Sequence, residues 1–265
     1  DLGASLAPTN CDMMNADRQS DGLRCVRVGW CAQQLWRQGV GLSVHGDVQN
    51  VLDALDHGLG DVVTDSTGAT RAQVARDAAW AQMAPDMCAG VQVLNVARDV
   101  VPDAIMVGDS TQIVYAGNLY FDHDRAGGWF NASTGFGALG FAIPAAIGAQ
   151  IAAPDTRVIC IAGDGGAQFS LPEVMVAVDE NLPIIFVIWN NHGYQEIATS
   201  MQNVNITVVG CDPTPPDFRA TAASFGVPFY RCDVDGFGTA LADARDEHGP
   251  VIVEIVTPNL AHHNT

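Results

Sequence analysis

The sequence predicts an α/β fold, a parallel sheet with helices on both faces, preceded by the tail of a second α/β domain. From about residue 89 onward, short apolar runs alternate with segments of helical periodicity, a pattern typical of βαβ units and parallel sheets. The clearest unit lies at 158–194, where two apolar runs flank a glycine-rich turn and a helical segment. Such a unit places the carboxyl ends of two strands side by side, where open α/β sheets bind ligands.

The first 60 residues contain too few elements to close a core of their own. Residues 23–28 alternate as a strand does, and Asp47 is placed to cap a helix that begins VQNVLDAL. One strand and one or two helices cannot bury a core. We therefore assign 1–60 to the C-terminal part of a central α/β domain, and 61–88 to a linker with one surface helix that Pro85 ends.

Residues 89–265 are predicted to form one ligand-binding domain. A glycine-rich loop and a helix occupy 135–152, directly before the unit at 158–194. The other predicted helices cover 91–100, 171–181, 216–225 and 237–247. The predicted strands cover 104–108, 158–162, 184–189, 227–231 and 251–256.

Composition restricts the partners of the chain. Thirty acidic residues face 12 basic ones, all of them arginine, and the net charge is −18. This argues against nucleic acid, because phosphate backbones require clustered positive charge. No apolar run approaches the roughly 18 residues that a membrane span needs, and the first ten residues lack the features of a signal peptide. We expect a cytoplasmic protein with no membrane partner. The seven cysteines include no CxxC pair, so neither a zinc site nor a disulfide framework is predicted.

The string Gly135-Phe136-Gly137-Ala138-Leu139-Gly140 has the letters of a dinucleotide-binding loop. That motif requires a preceding strand and an acidic residue about 20 positions later at the end of the next strand. Residues 129–134 favour a strand poorly, and the acidic candidates Asp155 and Asp164 fall in a turn and in a second glycine loop. Dinucleotide binding is therefore the less favoured interpretation.

A metal–diphosphate site explains the ends of the two strands in 158–194 better. Mg²⁺ prefers oxygen ligands and often binds one or two protein groups plus substrate phosphates. Asp164 offers a carboxylate, Asn191 an amide oxygen and Gly193 a backbone carbonyl. Glycines 165 and 166 let a diphosphate approach the N–H groups at the start of the following helix. The competing interpretation is an ordinary βα turn followed by an Asx-rich turn.

These residues resemble a known family. GDG at 163–165, followed after 24 residues by NN at 190–191, resembles the thiamine diphosphate signature shared by pyruvate decarboxylases, acetolactate synthases and their relatives. The resemblance extends to 46–55, 135–150 and 216–226. More narrowly, three segments are similar to 5-guanidino-2-oxopentanoate decarboxylase and acetolactate-synthase-like proteins, namely 108–118, 129–140 and 189–197.

The resemblance implies a role for each matching residue. The metal ligands would be Asp164, Asn191 and the Gly193 carbonyl. The residues lining the diphosphate would be Thr111, Gln112, Gly165 and Gly166. Leu139 would support the bend of the cofactor, and the Gly137 carbonyl would accept a hydrogen bond from its amino group. Glu196 would face the reaction centre and contact substrate. Simple core packing for Leu139 and an exposed helix-start position for Glu196 are the alternatives.

The implied activity is thiamine diphosphate- and Mg²⁺-dependent decarboxylation of a 2-oxo acid, followed by aldehyde release or by carboligation to an acetohydroxyacid. Family members also need a glutamate from a separate pyrimidine-binding domain, and no stretch of this sequence resembles that domain. We therefore expect a partner chain or a further domain that carries this glutamate, in a homo- or hetero-oligomer. Residues 26–30 depart from the family pattern in a way that weakens any inference of bound FAD. The alternative function is a noncatalytic binding or regulatory subunit that retains the fold.

Overall fold

The computed structural model describes residues 26–35, 41–60, 66–133 and 135–257. The chain divides into two compact units, one ending at Ala75 and one beginning at Arg76. This boundary falls inside the predicted linker 61–88. The assignment of the first unit to a central domain stays a prediction.

The first unit contains a pair of parallel strands. Strand β1 (Val26–Gly29) pairs with β2 (Leu42–His45), and helices α1 (Ala32–Leu35) and α2 (Val48–Leu59) follow them in turn. Asp47 caps α2 as predicted, because its carboxylate accepts the Asn50 N–H at 2.9 Å. The sequence did not predict β2, whose four residues are all partly or fully exposed. Residues 23–25 of the predicted first strand lie outside the described residues.

Two helices precede the main sheet, α3 (Gly68–Ala81) and α4 (Pro85–Val100). The surface helix predicted in the linker is present as α3, which ends at Ala81, before Pro85. Pro85 itself occupies the first turn of α4. Proline suits this position because its fixed φ is helical and the missing N–H would have no partner there. The helix predicted over 91–100 therefore begins six residues earlier.

Six strands form the main sheet, and every neighbouring pair is parallel. They are β3 (Ile105–Gly108), β4 (Trp129–Asn131), β5 (Val158–Gly163), β6 (Ile184–Asn190), β7 (Phe229–Cys232) and β8 (Val251–Val256). Their order is β4-β3-β5-β6-β8-β7. The predicted parallel α/β sheet is confirmed. Strand β4 contradicts the expectation that 129–134 favour a strand poorly. It forms as a three-residue edge strand against β3, a pairing that local propensity does not report.

Helices cover both faces of this sheet. They are α5 (Gln112–Tyr120), α6 (Ala142–Ala152), α7 (Asp164–Ala167), α8 (Val174–Asp179), α9 (Gln195–Asn203), α10 (Phe218–Phe225) and α11 (Phe237–Arg245). The single helix predicted over 171–181 was wrong in form. A 3-10 helix at Leu171–Glu173 precedes α8, and Asn181 adopts a left-handed φ of 50° that helix geometry cannot continue. Helix α9 was not predicted.

The alternation of side chains along the strands creates two cores. On one face, Ile185 and Val187 of β6 pack in a cluster with residues of α4, α5 and α11. On the other face, Ile184, Phe186 and Ile188 pack in a cluster with residues of α6, α8 and α10. A strand buried on both faces must be apolar throughout, which is why these strands appear as continuous apolar runs in the sequence. Within the described ranges, no helix is long and apolar enough to cross a membrane.

Helix α4 packs so closely against α5 that Gly90 has no room for a side chain. A Cβ at this buried position would lie 2.9 Å from the Ala116 Cβ and 3.1 Å from the Ile113 Cα. We expect Gly90→Ala to lower the free energy of unfolding by about 1–2 kcal/mol, because the clash outweighs the better helix propensity of alanine. Denaturant unfolding measures the change.

Gly148 in α6 provides the matched control, since a Cβ there meets nothing within 4 Å. Gly148→Ala should raise the free energy of unfolding by up to about 1 kcal/mol. Equal effects of the two substitutions would contradict the packing argument.

Candidate active site

A cavity of about 230 Å³ lies where β3, β5 and β6 end. The chain passes from β3 to β4 on one side and returns to β5 on the other, so this is the point where the strand order reverses and where such folds bind ligands. All ten residues that the sequence singled out line the cavity: Thr111, Gln112, Gly137, Leu139, Asp164, Gly165, Gly166, Asn191, Gly193 and Glu196. Their roles stay predictions.

The register of β5 against β6 brings the acidic and amide residues together. Gly163 pairs with Trp189, so Asp164 and Asn191 both leave the sheet at the same edge. Successive strand residues face opposite ways, and the two asparagines separate accordingly. Asn190 donates to the buried Glu254 carboxylate at 2.7 Å, whereas Asn191 lines the cavity.

Three oxygens converge beside Asp164. The Asn191 side chain donates through Nδ2 to Gln112 Oε1 at 2.9 Å. The other end of this amide then lies 2.8 Å from the Gly193 carbonyl oxygen and 3.2 Å from Asp164 Oδ1. The reversed amide would donate hydrogen bonds to both of these oxygens. The orientation that donates to Gln112 instead brings three acceptor oxygens together, which repel each other unless a proton or a cation lies between them.

The burial and electrostatics of Asp164 also fit a cation beside its carboxylate. Its side chain is 1% exposed, and its Oδ2 has no hydrogen-bond partner. Burial raises the pKa of this carboxyl to about 6, against which the N–H groups of Gly165 and Gly193 and the nearby His192 act more weakly. An orphaned buried carboxylate oxygen with two further oxygens beside it fits a hard divalent cation such as Mg²⁺.

The three candidate ligand oxygens belong to a carboxylate, a side-chain amide and a backbone carbonyl, so they do not form a cluster of acidic or histidine side chains. Across the described part of the chain, no three His, Cys, Asp or Glu side chains group so as to hold a metal ion. Mg²⁺ does not need such a cage, because waters and phosphate oxygens commonly complete its shell. One carboxylate, one amide and one backbone carbonyl are sufficient protein ligands.

The glycine turn after β5 is closely packed. A Cβ at Gly165 would lie 2.3 Å from the Tyr194 ring, and one at Gly166 would lie 3.1 Å from Asp109 Oδ2. The turn forms the four-residue helix α7 instead of the start of a long helix. Its N–H groups therefore act locally, without the dipole of a long helix behind them. Tyr194 and Asp109 therefore leave room only for glycine at positions 165 and 166, whether or not a ligand is bound.

Asp109 is a residue that the sequence reasoning missed. Buried directly after β3, it accepts the N–H groups of Ser110 and Gly140, each at 2.8 Å. Burial raises the pKa of its carboxyl, while these and the Phe141 and Ala142 N–H groups oppose the shift. Asp109 thus fastens the loop before α6 to the end of β3. Its position directly after a predicted strand is the feature of the sequence that could have identified Asp109.

The loop that Asp109 fastens carries Gly137 and Leu139. Gly137 and Gly140 have φ of 74° and 82°, which favour glycine strongly. The loop follows β4 and precedes α6, so the expectation that residues 129–134 are a poor strand before this GxGxxG string was wrong. Dinucleotide binding still lacks its acidic residue, because Asp155 lies in a turn and Asp164 lines the cavity described above.

Glu196 lies in the first turn of α9 and is half-buried. It lines the cavity together with Tyr115, Tyr194 and Gln195, which the sequence did not single out. Burial raises the pKa of the Tyr115 hydroxyl, and the Glu196 carboxylate adds to this shift. Tyr115 lies one helical turn after Thr111, and this spacing was the signal available for it.

The chain is similar in sequence to known decarboxylases and acetolactate synthases. A probable 2-ketoarginine decarboxylase from Pseudomonas aeruginosa is 31% identical over 219 residues, which are 81% of this chain and 39% of that protein. An acetolactate synthase large subunit from Parasynechococcus marenigrum is 38% identical over 169 residues, 62% of this chain and 27% of that protein. The chain spans well under half the length of these relatives.

A solved structure and a family model agree with these relatives. The thiamine diphosphate-dependent 4-hydroxybenzoylformate decarboxylase of Rhodococcus jostii superposes with a TM-score of 0.70 at 25% identity, over 90% of this chain and 44% of that one. The model of the thiamine pyrophosphate enzyme C-terminal TPP binding domain matches residues 109–255. This range includes every residue that lines the cavity. The chain therefore belongs to the thiamine pyrophosphate (thiamine diphosphate) enzymes, through their C-terminal cofactor-binding domain.

Proposed function

We propose that this chain supplies the metal and diphosphate half of the active site of a thiamine diphosphate- and Mg²⁺-dependent enzyme that decarboxylates a 2-oxo acid. The observation that carries the proposal is the convergence of the Asp164, Asn191 and Gly193 oxygens beside a glycine turn. The product would be released as an aldehyde or joined to a second carbonyl compound as an acetohydroxyacid.

The described residues divide the work of holding the cofactor. Asp164, Asn191 and the Gly193 carbonyl would hold Mg²⁺, which in turn neutralises diphosphate oxygens. Thr111 and Gln112 lie at the beginning of the nine-residue helix α5, whose free N–H groups suit an anion. When bound, thiamine diphosphate would supply an electron sink for the electron pair that stays on the substrate carbon as carbon dioxide leaves.

Leu139 and Gly137 would orient the rest of the cofactor. Leu139 is half-buried, and its Cδ2 lies 3.4 Å from the position of a Cβ on Gly166. It therefore lies next to the glycine turn on which the diphosphate would rest, in a position to support a bent cofactor. The Gly137 carbonyl lies on the same loop, which Asp109 holds in place.

A partner chain or a further domain would complete the site. Of the glutamates in the described part of the chain, only Glu196 lines the cavity, and we assign it to the substrate. The glutamate that activates the pyrimidine ring of the cofactor would then come from elsewhere, in a homo- or hetero-oligomer.

The substrate class is proposed from Glu196 and from two relatives that are named as decarboxylases of 2-ketoarginine and 4-hydroxybenzoylformate, both of them 2-oxo acids. A half-buried carboxylate can pair with a cationic group at the far end of a substrate, and a guanidinium would do so with two hydrogen bonds. The name of the Pseudomonas aeruginosa relative fits such a substrate. A 2-oxo acid with a cationic side chain is therefore our first candidate.

One experiment separates catalysis from a noncatalytic subunit. The protein is purified with any chain that accompanies it, and carbon dioxide release is measured from a panel of 2-oxo acids with thiamine diphosphate and Mg²⁺. We expect turnover that requires both additions and a chain or domain bearing the activating glutamate. Cofactor binding without turnover in the completed assembly would instead favour a binding or regulatory subunit.

The raised pKa of Asp164 predicts how the metal-free protein responds to pH. A carboxyl whose pKa rises from 3.8 to about 6 on folding favours the folded state while protonated. That contribution is fully present below pH 3.8 and is lost as the pH rises through about 6. Relative to Asp164→Asn, the parent protein should lose up to about 1.4 kcal/mol of stability per pH unit between these values. Denaturant unfolding at several pH values without metal measures the difference.

The same pKa predicts the pH dependence of metal binding with the opposite sign. Only the ionised carboxylate binds Mg²⁺, so metal affinity should fall about tenfold per pH unit below pH 6. Asp164→Asn should show weak binding at every pH. A parallel pH dependence in parent and variant would contradict the assignment of Asp164.

The role of Glu196 can be tested by charge removal. We expect Glu196→Gln to lower kcat/KM about ten- to hundredfold for a 2-oxo acid with a cationic end, since a hydrogen bond between charged groups is lost. A neutral 2-oxo acid of similar length should change little. Glu173→Gln is the control, because Glu173 is exposed and does not line the cavity. Unchanged constants for Glu196→Gln on every substrate would contradict the contact.

A further inference from the structure

A buried tryptophan, Trp189, is linked to Asn191 through the side chain of Gln112. Trp189 is 4% exposed, and its indole Nε1–H donates to Gln112 Oε1 at 3.0 Å. The same oxygen accepts the Asn191 Nδ2–H at 2.9 Å. Two donors from β6 and the loop that follows it thus meet on one acceptor at the start of α5.

The strand geometry explains why both donors reach Gln112. Trp189 and Asn191 are two residues apart, so they face the same side of the sheet. Trp189 belongs to the core on the α4, α5 and α11 face. Gln112 is the first residue of α5, and it lies above that face at the edge where β6 ends.

An indole nitrogen can only donate a hydrogen bond, whereas either end of a carboxamide can rotate into a given place. The Trp189 N–H therefore fixes which end of Gln112 points toward β6, namely its oxygen. That oxygen in turn requires the nitrogen end of Asn191. The reversed Asn191 amide would place its own oxygen 2.9 Å from Gln112, against an acceptor.

The reversed amide would have one advantage in the metal-free protein. Its nitrogen would donate to the Gly193 carbonyl at 2.8 Å and to Asp164 Oδ1 at 3.2 Å. Such hydrogen bonds would occupy the two oxygens that a metal ion needs. The orientation with Oδ1 toward Asp164 is the one that can bind a cation, and the hydrogen bond that favours it is the one that Asn191 donates to Gln112.

We propose that Trp189 and Gln112 are positioning residues that hold the Asn191 amide in the metal-binding orientation. The inference rests on the proposed function, because it concerns the ion that Asp164, Asn191 and Gly193 would bind. Trp189 itself does not line the cavity. It acts by making the competing orientation of Asn191 cost a hydrogen bond.

The test compares metal affinity in variants that lose one hydrogen bond each. Mn²⁺ replaces Mg²⁺, and free Mn²⁺ is measured by electron paramagnetic resonance during titration of the purified protein with thiamine diphosphate present. Trp189→Phe keeps the aromatic packing and removes the N–H. We expect Mn²⁺ binding to weaken about three- to tenfold, the effect of one neutral hydrogen bond. Gln112→Met, which removes the shared acceptor, should weaken it at least as much.

Trp129→Phe is the matched control. The Trp129 Nε1–H also donates to a side-chain amide oxygen at 3.0 Å, that of Asn118, but neither residue lines the cavity. Its removal should leave Mn²⁺ binding within twofold of the parent. Thermal unfolding of all variants shows whether each remains folded. If Trp189→Phe does not fold, Gln112→Met carries the test in a titration with Mn²⁺ alone, where the loss of a diphosphate contact cannot contribute.

The double variant distinguishes positioning from packing. If Trp189 acts through Gln112, then Trp189→Phe should change Mn²⁺ affinity less than twofold in the Gln112→Met background. Additive losses would show that Trp189 acts by packing and would overturn the inference, as would parent-like affinity in folded Trp189→Phe and Gln112→Met. If the parent protein itself binds no Mn²⁺ with thiamine diphosphate, the proposed function fails first, and the inference fails with it.

Discussion

The candidate site depends on the parallel register between β5 and β6. Six residue pairs join these strands, from Val158 with Ile184 to Gly163 with Trp189. The pairing fixes where each strand ends, so the glycine turn and the asparagine loop leave the sheet together. A shift by one residue would turn Asn191 toward the opposite face and Asn190 toward the cavity. The two-sided apolar core prevents that shift, because it would move every buried side chain of β6 to the wrong core.

Electrostatics of the site follow from burial more than from net charge. The chain carries a charge of −18, and no arginine lines the described cavity. An anionic cofactor would therefore rely on a metal ion and backbone N–H groups. Burial of the Asp164 carboxylate costs free energy in the metal-free state, which is why its pKa rises. A bound cation would offset that cost, so the raised pKa of Asp164 and the proposed affinity for metal would have the same origin.

Much of the fold and the positions of the site residues could be predicted from local pattern. The apolar runs of β5, β6 and β8 and the GDG and NN motifs are short-range features, and the structure brings all ten predicted residues into one cavity. Strand β4, helix α9 and the division of 171–181 were not predicted. Residues 129–131 form a strand only because β3 offers an edge, and the 3-10 helix at Leu171–Glu173 is a local geometry that helical periodicity does not distinguish.

The sequence by itself determined the type of chemistry, since a carboxylate, an amide and glycines at the ends of two strands are defined by residue identity and spacing. Tertiary structure decided which atoms of those residues face the cavity. Asp109 reaches Gly140 across 31 positions, and Trp189 reaches Gln112 across 77. No local pattern encodes such contacts, because they exist only after β3, β5 and β6 are aligned. The placement of the Asn191 side chain beside Gln112 and Asp164 is therefore a property of the folded sheet.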